Sequence, residues 1–93
     1  MLTDVELPED VLADLQKRLR RAEGQIRGIQ AMLTDGRDCR DVVTQLSAVI
    51  GALEQTGFKL VATGLTWCLA HPDEASADGL GIDEVQRMFM KLT

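Results

Sequence analysis

The stretch 12-LADLQKRLRRAEGQIRGIQAML-33 places apolar residues at Leu12, Leu15, Leu19, Ala22, Ile26, Ile29 and Leu33. The steps alternate three and four, a heptad seam that belongs to a helix packed on other helices. Pro8, Glu9 and Asp10 mark its start, since proline is tolerated in a first turn and acids there oppose the helix dipole. Asp35-Gly36 marks its end. The first helix is therefore expected over residues 9–34.

A second helix is expected over residues 39–70. Asp38 can cap it, with Asp41 in a capping-box-like position. Val42, Val43, Leu46, Val49, Ile50, Leu53, Leu60, Val61 and Leu65 give an apolar face wider than one seam needs, so this helix should touch neighbours on two sides. His71-Pro72 ends it, because proline biases the preceding residue away from helical geometry. The segment 73-DEASADGLG-81 reads as a loop, and residues 82–92 as a short third helix with Ile82, Val85, Met88, Phe89 and Leu92 on one side. The fold class is all-α: a three-helix protomer in one domain over residues 1–93. A chain this short gains stability by oligomerising.

Composition agrees. Aromatics are limited to Phe58, Trp67 and Phe89, while Leu, Val, Ala and Ile are plentiful, which disfavours a sheet. No hydrophobic run is long enough to span a bilayer. The start, MLTDVELPED, is acidic rather than leader-like, so a cytoplasmic protein with no membrane partner is expected. The net charge of −5 conceals a strong asymmetry. Residues 16–40 hold Lys17, Arg18, Arg20, Arg21, Arg27, Arg37 and Arg40 against Glu23, Asp35 and Asp38, and both ends of the chain are acidic. Charge runs are often plain solvated faces, but this concentration points to nucleic acid.

The two cysteines, Cys39 and Cys68, fall in the first and last turns of the second helix. A continuous helix separates them by roughly 43 Å, so they cannot meet within one chain. If two copies of the helix pack antiparallel about a two-fold axis, Cys39 of one lands beside Cys68 of the other, and the site occurs twice. Both could instead be small buried hydrophobes. Placement at opposite ends of one helix, in a chain expected to associate and to stay in a reducing compartment, favours a reactive or metal-binding pair. His71, three residues beyond Cys68, could complete a Cys39, Cys68 and His71 site for Cu(I) or Zn(II) between subunits. As a residue before proline it also reads as a plain helix end. Trp67 reads as packing.

The blocks 18-RLRRAEGQIRGIQAML-33 and 39-CRDVVTQLSAVIGALEQ-55, followed by Cys68, resemble the CsoR/RcnR family of metal- and small-molecule-responsive repressors, over roughly residues 12–92. The resemblance implies an antiparallel dimer that exchanges ligands between subunits and a dimer-of-dimers tetramer. It also implies release of operator DNA when an inducer fills the inter-subunit site. Copper-sensing members carry cysteines at the positions of Cys39 and Cys68 and a histidine at the position of Gly64. Nickel- and cobalt-type members need further histidines, including one near the N-terminus. Formaldehyde-responsive members carry a proline where this chain has Leu2. The bare dithiol is similar to the persulfide-sensing CstR-type branch, which needs no cofactor, whereas the copper alternative would require Cu(I).

Persulfide chemistry suits these positions. A helix N-terminus with Arg37 and Arg40 nearby favours a thiolate at Cys39, which would attack a reactive sulfur species as inducer. Cys68 of the partner would then resolve the product into a di-, tri- or tetrasulfide bridge. Glu84 corresponds to an acidic residue near the inducer site of copper sensors and is at most an outer neighbour here. Arg18 matches a position that contacts DNA in the family. Arg21 and Gln25 follow it on the same helical stripe, and Lys17, Arg20 and Arg27 broaden the patch. Copper sensors have an arginine where this chain has Gln55, which leaves the operator sequence open. An enzyme is not expected, because no credible general base accompanies either thiol.

Overall fold

The computed structural model describes residues 7–77 and 81–92. These are helical, in the order α1 (Glu9–Thr34), α2 (Cys39–Ala70), α3 (Pro72–Ala77) and α4 (Ile82–Lys91), with no strand among the described residues. At 1.5 Å per residue, α1 and α2 run for about 39 and 48 Å. They form an antiparallel hairpin that gives the protomer its 54 × 25 × 18 Å shape.

The hairpin turn is set by glycine. Gly36 has φ of 68°, in the left-handed region. The Arg37 N–H donates to the Met32 carbonyl (3.0 Å) and the Gly36 N–H to that of Leu33 (3.2 Å), a complete Schellman closure of α1. Two residues on, the Asp38 carboxylate accepts from the Arg40 N–H at 2.8 Å and caps α2. Asp41 does not complete a capping box; its carboxylate lies 3.7 Å from the Arg37 guanidinium.

Only half of the α1 seam is used within the protomer. Leu15, Ala22 and Ile29, seven residues apart, are buried against α2. The alternate line of Leu12, Leu19, Ile26 and Leu33 remains 40–64% exposed. On α2, Val49 and Thr56 are buried, while Val43, Leu46, Ile50, Leu53 and Leu60 form an uncovered stripe. The buried Thr56 hydroxyl donates to the Ala52 carbonyl at 2.8 Å and so costs no unmet hydrogen bond.

Among the described residues the protomer has four helices rather than the expected three. The segment read as a loop begins with one short helix, α3, and residues 78–80 lie outside the described residues. The proline that ends α2 also suits the first position of a new helix, and Asp73 and Glu74 follow it in the first turn. α4 then docks on the C-terminal half of α2. Phe89 meets Phe58 with ring centroids 5.2 Å apart, and Leu92 lies over Gly57. A Cβ at Gly57 would fall 2.9 Å from both Leu92 methyl carbons, so the absence of a side chain there permits the contact.

Candidate sensor site and nucleic-acid face

Cys39 is the first residue of α2 and is exposed. The charges around it are more balanced than its arginine neighbours suggested. Arg37 faces Asp41, and the Arg40 Nε lies 3.8 Å from Asp38. Cys68, in the last turn of α2, is only 3% exposed. Val85 of α4 is buried with it, and Val61, Trp67 and Met88 pack around the pair. The two thiols thus sit at opposite ends of α2 and in opposite environments.

Beside Cys68 lies an apolar hollow of about 440 Å³ lined by Leu60, Val61, Gly64, Val85 and Met88 among others. Nothing approaches within 4 Å of where a Gly64 side chain would begin. His71 lies against the last turn of its own helix. Its ring stacks on Trp67, with centroids 5.0 Å apart and planes 23° from parallel, and its Nδ1 lies 3.2 Å from the Trp67 carbonyl oxygen. Glu84 accepts from Arg87 at 2.9 Å. Among the described residues no three His, Cys, Asp or Glu side chains converge on a possible metal position. A site built on Cys39, Cys68 and His71 therefore needs a second copy of the chain.

The basic residues separate into two groups. Arg18, Arg21 and Gln25 of α1 line a groove of about 340 Å³ with Ser47, Gly51 and Gln55 of α2. The small residues Ala22, Ala48 and Ala52 also line it. The Gln25 carboxamide oxygen is buried there and accepts no hydrogen bond. Lys17, Arg20 and Arg27 are exposed outside this groove, and Arg27 pairs with Glu23 on its own helix. The heptad reading had passed over Asp14. Its carboxylate accepts from the Arg18 Nε at 2.8 Å and from the Lys59 Nζ of α2. These two cations, Lys59 foremost, hold the Asp14 carboxyl below the ordinary aspartate range. One available signal was that Lys59 is the single lysine or arginine between Arg40 and Arg87.

The described residues thus form an all-helical hairpin with a thiol at each end of its long helix and a groove lined by two arginines between α1 and α2. Residues 12–91 match the metal-sensitive transcriptional repressors, and the chain belongs to that family. It is a family of repressors rather than enzymes. The chain is 34% identical over 79 residues to the copper-sensing transcriptional repressor CsoR of Bacillus subtilis, covering 85% of this chain and 78% of that protein. It is 47% identical over 53 residues to the copper-sensing transcriptional repressor RicR of Mycobacterium tuberculosis, covering 57% of this chain and only 55% of that one. The crystal structure of the copper-sensing repressor CsoR with Cu(I) from Geobacillus thermodenitrificans superposes with a TM-score of 0.72 at 32% identity, covering 99% of this chain and 95% of that chain. No described helix is long and apolar enough to cross a membrane.

Proposed function

We propose that this repressor senses persulfides and polysulfides through a dithiol shared between subunits, Cys39 of one protomer and Cys68 of its partner, and leaves its operator when the two are bridged. The observation that carries the reading is Gly64, one helical turn before Cys68, with open space where a third ligand would stand. The exposed apolar stripes on α1 and α2 support the association it requires, an antiparallel dimer and a dimer of dimers.

The chemistry balances without a cofactor. The exposed Cys39 thiolate attacks the sulfane sulfur of a persulfide R–S–SH, forming Cys39–S–SH and expelling the thiolate RS⁻. The partner's Cys68 thiolate then attacks the Cys39 sulfur. A disulfide forms and HS⁻ leaves. The inducer is reduced to a thiol and sulfide while two protein thiols are oxidised. A longer polysulfane donor leaves additional sulfur in the bridge. On the DNA side, Arg18, Arg21 and Gln25 contact the duplex, with Lys17, Arg20 and Arg27 adding charge at its margins.

A Cu(I)-responsive repressor is the second reading, favoured by the names of all three relatives. Cys39 and Cys68 would supply thiolates, which select Cu(I), and His71 would complete the set through its Nε2, since its contact with the Trp67 carbonyl uses Nδ1. One experiment separates the two. Reduced protein bound to a duplex from upstream of its own gene is treated with polysulfide or with Cu(I). The persulfide reading expects a dithiothreitol-reversible dimer on a denaturing gel together with loss of the DNA shift. It also expects that Cys68→Ser abolishes the crosslink while leaving Cys39 modifiable. Release of DNA by Cu(I) alone, with no crosslink by polysulfide, would replace it with the copper reading.

A further inference from the structure

Every ion pair among the described residues joins side chains at most four positions apart, except one. Lys59 of α2 reaches Asp14 of α1 across 45 positions, and Asp14 simultaneously holds Arg18. The three charges form a small cluster of net charge +1 at the end of the groove that Arg18 lines. Lys59 lies one helical turn beyond Gln55, which lines the same groove from α2. The geometry of the guanidinium matters here. Asp14 takes its Nε–H and leaves both terminal amino groups without a protein acceptor among the described residues. Those groups form the edge that meets a phosphate bidentately.

We infer that Asp14 is a positioning residue for DNA binding, anchored by Lys59 so that it fixes the Arg18 guanidinium with its two-pronged edge free for a phosphate. Lys59 has two tasks in this arrangement. It ties Asp14 to α2, and it keeps the carboxylate from neutralising Arg18. An acidic side chain thus assists binding to a polyanion, which bare electrostatics would not predict. The inference rests on the proposed role of Arg18 at the DNA face.

The sign of one substitution tests it. Asp14→Asn removes a negative charge from a DNA-binding surface, so charge alone would tighten binding. Loss of positioning would instead weaken it, by roughly five- to tenfold. The full-length protein is titrated onto the upstream duplex over a salt series, with thermal melts of each variant as a check on folding. Expected results are weaker binding by Asp14→Asn and by Lys59→Met, partial recovery with Lys59→Arg, and no weakening by Asp14→Asn once Arg18→Ala is present. Equal or tighter binding by Asp14→Asn in the otherwise unchanged protein would overturn the inference. The Arg18→Ala variant alone examines the underlying reading: it should bind more weakly with a salt slope smaller by about one. If Arg18→Ala binds as the unmodified protein does, the DNA face itself is misassigned.

Discussion

At Gly64 the missing side chain leaves open space one helical turn before Cys68. The open space there accepts a Cβ without any displaced atom. Gly64→His should therefore fold, place an imidazole one turn from Cys68 and raise Cu(I) affinity by about tenfold or more, read by competition against a calibrated Cu(I) chelator. An unchanged affinity would show that the position does not face the shared site. Asp14 carries a pH signature of its own. Its carboxyl titrates below the ordinary aspartate value of 3.8, with Lys59 the main cause. A lowered folded-state value means the bridge contributes fully above about pH 3.8 and is lost as pH falls through the folded value. The stability difference between the protein and Asp14→Asn should be flat from pH 8 to 5 and shrink below 4, measured by denaturant titration. Because the cluster is open to solvent, salt should reduce it.

Among the elements, α4 is held on α2 by several contacts spread along its length. Its amphipathic face buries Cys68 through Val85 and Met88, and its last turn rests on Gly57 through Leu92. Gly57→Ala would bring a methyl group to the two Leu92 methyl carbons, which end a flexible side chain and can rotate away, while the exchange inside α2 gains about 1 kcal/mol of helix propensity. The expected outcomes are a melting temperature that does not fall and alkylation of Cys68 that is no faster, followed by mass spectrometry of the modified peptide. The long helices were legible in the sequence because heptad spacing, Asp38 and Gly36 all agree on their limits. α3 was not, since six residues are too few for periodicity to register and its proline reads first as a terminator. The site was legible only in part. Spacing placed the thiols at the ends of α2, but nothing local announces that His71 stacks on Trp67 or that Lys59 finds Asp14. Both depend on rotamers or on a contact between distant segments.

For the whole molecule, the protomer is a hairpin with one flank covered and the other bare. Leu19 and Ile26 on α1 and Ile50 and Leu53 on α2 expose apolar surface that a second copy is proposed to cover. The melting temperature should accordingly rise with protein concentration. Ile50→Asp should shift the sedimentation coefficient towards the monomer and abolish the polysulfide crosslink with both cysteines intact. A crosslink that persists in a monomeric variant would mean that the thiols meet by some route other than stable assembly. Trp67 provides a way to watch these events without labels. It is the chain's one tryptophan, adjacent in sequence to Cys68 and stacked on the chain's one histidine. The ring packs against the Cys68 cluster, so sulfur chemistry next door would alter the polarity around it. The protein's intrinsic fluorescence is thus a built-in optical gauge, expected to shift in wavelength if the neighbouring thiol reacts.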